Sequence, residues 1–114
     1  MDVTQLHAGP LAPFVAQIAC AQGLARVRLI GELDLAAAPR AEAAIARAER
    51  REPPTLELDL SALAFMDSTG LRLMLGARER ALDVGRRLVL RRGPFAVQRV
   101  FELTALSPLF EFVE

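Results

Sequence analysis

Between Leu24 and the end of the chain, short runs with a two-residue apolar period alternate with Ala- and Leu-rich runs of helical character. That alternation constrains the fold more than any other feature. Strands separated by helices cannot form hairpins with one another, so most of them must pair in parallel through helical crossovers. The exception lies at the start. Phe14 to Ala21 reads as a strand, Gln22-Gly23 as a turn, and Leu24 to Leu33 as a second strand. So short a glycine-containing link predicts an antiparallel hairpin. In the second strand Arg26 and Arg28 alternate with Val27 and Leu29, which gives one buried face and one wet face.

Ala36 to Arg51 has helical composition, with Pro39 near the first turn, where a missing N–H costs little. Pro53-Pro54 ends it. Leu56, Leu58 and Leu60 alternate with Glu57 and Asp59 and predict a strand with its two acids on a solvated face. Residues 62–67 read as a connection. A second helix is expected over 69–83, with Leu71, Met74, Leu75, Ala81 and Leu82 as its apolar stripe and Gly85 as a left-handed cap. Leu88-Val89-Leu90 is a buried strand inside 86–92. Pro94 is expected at the first position of a third helix whose apolar face is Val97, Val100, Phe101 and Leu103, and 109–113 alternates as a last strand. The order is β-β-α-β-α-β-α-β. The chain of 114 residues has room for one core. The reading is therefore a single α/β domain over 13–114, with a mixed, mostly parallel sheet, an N-terminal β-hairpin and helices mainly on one face. Residues 1–12 read as a loose arm.

Composition closes off several classes of function. The 14 basic residues, all arginine, balance 14 acidic ones, so the molecule carries no general attraction to nucleic acid or anionic membrane. Arg86, Arg87, Arg91 and Arg92 bracket a strand and read as solvated strand ends paired with local acids rather than as a nucleic-acid site. Without Trp or Tyr, base-stacking platforms are not expected. His7 is the only histidine and Cys20 the only cysteine. A triad or a Cys-His pair would need the arm folded back, no Cys/His spacing suits a metal, and no glycine-rich phosphate loop is present. No enzyme activity, metal or cofactor is expected. Cys20 lies in an apolar stretch and reads as a buried structural thiol. No apolar run approaches the ~20 residues that span a bilayer. The opening Met1-Asp2-Val3-Thr4-Gln5 lacks a signal peptide's basic region, so a cytoplasmic location is expected.

One segment stands apart. In Phe65-Met66-Asp67-Ser68-Thr69-Gly70-Leu71, two hydroxyls and a carboxylate stand where a loop enters a helix. The plain reading makes Ser68 the helix N-cap. The functional reading makes it a modification site. A hydroxyl at a helix N-terminus is exposed enough to enter another protein's active site. Gly70 would let that partner approach. A phosphate there would sit at the positive end of the helix dipole and add ~−1.5 to −2 charges to the surrounding surface.

These residues also carry a resemblance. Gly31-Glu32-Leu33-Asp34 resembles the GELD segment of the STAS-domain anti-sigma factor antagonists. Leu56 to Leu71, LELDLSALAFMDSTGL, resembles their signature, and Gly93 to Phe112 their third helix and last strand. The resemblance implies a STAS-like fold and a partner-switching circuit. In it the antagonist binds an anti-sigma factor that is a serine kinase of the histidine-kinase-like ATPase type, and so frees a sigma factor. The kinase then phosphorylates the serine, here Ser68, and the antagonist lets go. A PP2C-type phosphatase restores it. The partner-binding residues implied are Asp34, Asp67, Ser68, Thr69, Gly70 and Leu71. Two positions depart from the family's pattern. Ala36-Ala37-Ala38 stands where a threonine is common near the first helix, and Ala105 where a glycine is common after the third. The rival readings are a STAS accessory or scaffold domain of a transporter or stressosome-type complex, and a nucleotide-binding or hydrolysing protein.

Overall fold

The structure, a computed structural model, describes residues 13–114; the expected arm over 1–12, with His7, lies outside them. Strand β1 (Val15–Ala21) and strand β2 (Leu24–Leu33) form the hairpin, in antiparallel register from Val15 opposite Ile30 to Ala21 opposite Leu24. Helix α1 (Ala38–Glu49), strand β3 (Thr55–Met66), helix α2 (Ser68–Val84), strand β4 (Arg87–Arg91), helix α3 (Phe95–Leu103) and strand β5 (Glu111–Val113) follow. The sheet order is β1-β2-β3-β4-β5, and every pairing after the hairpin is parallel. A one-turn 3-10 helix, Ser107–Leu109, takes up Pro108 and shortens the last strand from the five residues expected.

The helix-side face of the sheet holds the core. Val27, Leu29, Leu56, Leu58, Leu60 and Leu90 are fully buried there under Ile45, Met74 and Phe101. Phe101 meets Phe110 and Phe112 edge-on, with ring centroids 5.4 and 5.1 Å away. In α2 the stripe is Leu71, Met74, Ala77 and Ala81; Leu82 lies exposed. In α3 Val97 and Phe101 are buried, whereas Leu103 is exposed. Pro94 is the N-cap residue of α3 rather than its first helical residue. The buried Gln98 side chain accepts the Gly93 N–H at 2.8 Å.

Strand β3 differs from expectation in two ways. It runs on to Met66, through residues read as a connection. Between Arg28 and Ile30 of β2, and again between Gly31 and Glu32, β3 carries an extra residue. Each bulge resets the in-out alternation, so the buried residues fall at Leu60, Leu63 and Met66, and the two-residue period that marks a strand disappears. The second difference is at Glu57 and Asp59, which are buried rather than solvated, at 4% and 6% exposure. Arginines of the neighbouring strands cover them. Arg26 and Arg91 donate to Glu57 at 2.8 and 3.0 Å, and Ser61 donates to Asp59 through both N–H (2.9 Å) and hydroxyl (2.6 Å). Buried carboxylates persist because every one is paired.

The four arginines around β4 are tied down as well. Arg87 is bonded to Glu111, Arg91 to Glu57, Arg92 to Glu114, and Arg86 to the Pro53 and Glu49 carbonyls. The hydrogen bond that Arg91 donates to Glu57 raises Arg91 above its ordinary pKa, and the hydrogen bond that Arg87 donates to Glu111 holds the Glu111 carboxyl below its own. Among the described residues, no helix is long and apolar enough to cross a membrane.

Candidate functional site

The paired ends of β2 and β3 build the site. Leu33 pairs with Met66, so the residues that follow them, Asp34 and Asp67, leave the sheet side by side. The Asp67 N–H donates to the Leu33 carbonyl at 3.3 Å and ties the two corners together. Each acid then organises its own loop. Asp34 Oδ1 accepts the Ala37 N–H at 3.0 Å, and its carbonyl accepts the N–H groups of Ala37 and Ala38. This starts α1 without the threonine that Ala36-Ala37-Ala38 replaces. Asp67 is extended, and its Oδ1 accepts the Thr69 N–H at 2.8 Å. Asp67 is therefore the N-cap of α2, and the expectation that Ser68 caps the helix is corrected. A carboxylate makes the stronger, charge-assisted cap at the positive end of the helix.

Ser68 becomes the first helical residue. It is exposed, and no protein group among the described residues bonds its hydroxyl. Thr69 is half-buried. Gly70 is buried and serves the fold: a Cβ there would lie 2.3 Å from Met66 Cγ and 3.0 Å from Leu33 Cδ2. Its missing side chain lets α2 close onto the strand ends, not a partner onto Ser68. Leu71 is in the core, 6% exposed, and supports the surface from beneath. Of the six residues expected to meet a partner, Asp34, Asp67, Ser68 and Thr69 reach the surface; Gly70 and Leu71 do not. Two exposed apolar residues escaped the sequence reading, Leu35 at 75% and Phe65 at 44%, beside Asp34 and the α2 corner.

Gly31 has φ +103, and a Cβ on it would lie 2.2 Å from the Pro13 carbonyl oxygen. The glycine of Gly31-Glu32-Leu33-Asp34 is thus fixed by backbone approach. Ala105 adopts φ 61, the left-handed conformation for which glycine is the ordinary choice.

The STAS domain family model matches residues 16–114. The anti-sigma-B factor antagonist of Listeria monocytogenes is 35% identical over 81 residues, 71% of each chain. The chain belongs to the STAS domain family, among the anti-sigma factor antagonists. The crystal structure of an anti-sigma factor antagonist from Mycobacterium paratuberculosis superposes with a TM-score of 0.81 at 29% identity, covering 88% of this chain and 85% of that one. The antagonist SpoIIAA superposes in its unphosphorylated form with a TM-score of 0.74, at 28% identity and over 88% and 89% of the two chains. The Bacillus SpoIIAA structure in the phosphorylated form gives 0.67, at 27% identity and over 88% and 92%. The STAS fold places the Asp67–Leu71 corner where the chain turns from its central strand into α2.

Proposed function

We propose that this protein is a phosphorylation-gated anti-sigma factor antagonist acting in the cytoplasm, with Ser68 as its switch. Unphosphorylated, it binds an anti-sigma factor that is a serine kinase of the histidine-kinase-like ATPase type, and a sigma factor is released. The kinase places a phosphate on Ser68 and the complex separates; a PP2C-type phosphatase reverses the modification. The protein is substrate and ligand in this circuit, and catalyses no step of it. Asp34, Asp67 and Thr69 line the partner-facing surface around the serine.

The exposed, unbonded Ser68 hydroxyl at the head of α2 carries this reading. The hydroxyl can enter a kinase active site without unfolding its own helix, because Asp67 already satisfies the Thr69 N–H. The test is phosphorylation by the cognate kinase with ATP, followed by phosphopeptide mapping. Label should appear on Ser68, and Ser68→Ala should accept none while still binding the kinase. Label on Thr69 alone, or on neither residue, defeats the assignment.

A further inference from the structure

The sheet order rises steadily from β2 to β5, so right-handed crossovers place the three helices on one face and leave the other uncovered among the described residues. Strand register shows what that open face carries. Toward the Pro53-Pro54 end it is an ion-paired band: Arg26 and Arg91 with Glu57, Arg28 with Asp59, and Arg87 with Glu111. Beyond Arg28 and Asp59, toward Ser68, the pattern changes. Val15, Ile30 and Ala62 stand opposite one another on β1, β2 and β3, and the next pairing on that face sets Phe65 beside Glu32. Their chain neighbours Leu29, Leu33, Leu63 and Met66 are buried under the helices, which leaves Val15, Ile30, Ala62 and Phe65 on the open face. Val15 and Phe65 are exposed, and Ile30 and Ala62 are half-buried. Exposed Leu35 extends the apolar surface at the corner after Asp34.

This strip adjoins the switch. Phe65 is three residues before Ser68, so at most ~10 Å of chain separates them. A stable interface covers ~800 Å² of each partner, a patch roughly 30 Å across. A kinase seated on Ser68 with such a footprint must also cover neighbouring surface, and that surface differs with direction. Along α2 the accessible neighbours are Thr69 and Arg72, both polar, while Leu71 is buried. On the open face they are Phe65 and the apolar strip. Binding energy concentrates in aromatic and apolar anchors near the centre of an interface, whereas solvent-facing ion pairs contribute little.

We infer that the Val15–Ile30–Phe65 strip, with Leu35 at its corner, is the apolar anchor site for the anti-sigma factor, which holds the helix-free face of the sheet and reaches over the β3–α2 corner to Ser68. This rests on the switch reading and divides the surface into two parts. The strip holds the partner by an apolar pocket that takes the Phe65 ring, and Ser68 decides whether the partner stays. An anchor of this kind contributes equally to substrate and transition state of the phosphorylation. Its loss therefore raises KM and leaves kcat alone, whereas a displaced Ser68 would lower kcat.

Cys20, read from sequence as buried, is exposed near the other end of β1. As the sole cysteine it accepts one fluorophore, about 17 Å of strand away from Val15. Anisotropy of the labelled whole chain then measures affinity for the cognate kinase held with a non-hydrolysable ATP analogue. Phe65→Thr, which keeps strand propensity, should bind at least tenfold more weakly, and Val15→Gln several-fold more weakly. In the phosphorylation assay Phe65→Thr should raise KM at least tenfold, with kcat and the Ser68 label unchanged. Arg87→Ala, in the ion-paired band opposite Thr55, should bind as wild type does. The inference is overturned if both strip variants, folded by circular dichroism, bind as tightly as wild type, or if kcat falls while KM stays. It is equally overturned if the chain alone forms a dimer that Phe65→Thr abolishes, since the strip then belongs to a second copy. The switch reading fails separately, by absence of label on Ser68 of the wild-type chain; normal label with undiminished binding by the strip variants removes the anchor alone.

Discussion

Asp67 and Ser68 are neighbours with opposite jobs, and substitution should separate them. Asp67 closes the first turn of α2 through its bond to the Thr69 N–H, so Asp67→Ala should cost ~1 kcal/mol of stability, as loss of a cap does. Ser68 bonds nothing in its own fold, so Ser68→Ala should change stability by less than ~0.5 kcal/mol. Urea denaturation of both variants measures the difference; equal losses would mean that the serine is structural after all. One turn along α2, Arg72 is exposed and without an ion pair among the described residues. Spacing of four residues brings it to the phosphate that Ser68 would carry. An exposed pair of this kind is worth ~0.5 kcal/mol, and 1.36 kcal/mol corresponds to one pKa unit. The second ionisation of the phosphate should therefore lie roughly 0.4 units lower in the wild-type chain than in Arg72→Ala. Phosphorus NMR titration reads this directly, and coincident curves would show that Arg72 points elsewhere.

Strand β3 shows how far elements were legible in the sequence. Leu56 to Leu60 announces a strand because nothing interrupts its period of two. Leu63 to Met66 does not, because two bulges shift the side chains that face the core, and a bulge leaves no mark in apolar spacing. The hairpin, the three helices and the parallel order were readable because each has its own period and punctuation. The burial of Glu57 and Asp59 was not, since it depends on arginines supplied by two other strands. Cys20 misled for the related reason that an apolar neighbourhood in sequence ended at a sheet edge in space. At the Asp67–Leu71 corner the sequence singled out the segment but exchanged the structural roles within it: Asp67 caps, the Ser68 hydroxyl is unbonded and Gly70 packs. The two glycines fix where elements meet. Gly70→Ala drives a methyl group into Met66 and should cost ~1–3 kcal/mol, the range for overpacking. Gly31→Ala meets rigid backbone at Pro13 and a φ of +103 besides, so it should cost more. Thermal melts that rank Gly70→Ala as the worse variant would contradict this account of the two junctions.

For the molecule as a whole, the question is whether phosphorylation acts by refolding the domain or by changing one pole of its surface. The core runs without interruption from Phe14 through β2, β3 and β4 to Phe101 and Phe110, and the exposed Ser68 is not part of it. Thr69 N–H is already bonded by Asp67 Oδ1, and Leu71 N–H by the Asp67 carbonyl, so a phosphate finds the helix dipole but few free donors to rearrange. The modified domain should therefore stay as it is, while the partner meets a dianion on the surface it must cover. Two unit charges ~4 Å apart at a partly screened surface interact by ~4 kcal/mol. At ~1.4 kcal/mol per decade, an acidic group of the partner opposite Ser68 would weaken binding by up to roughly a thousandfold, less whatever Arg72 neutralises. Ser68→Asp brings one charge and less bulk and should weaken binding less than phosphate does. Arg72→Ala should widen the gap between phosphorylated and unmodified forms. Calorimetry against the kinase and backbone amide NMR of the free domain decide together. Shifts confined to the Asp34 loop and the first turn of α2, with affinity lost, fit local release. Shifts spreading across the sheet to β4 and α3, or phosphorylated protein binding as tightly as unmodified protein in the same nucleotide state of the kinase, would rule it out.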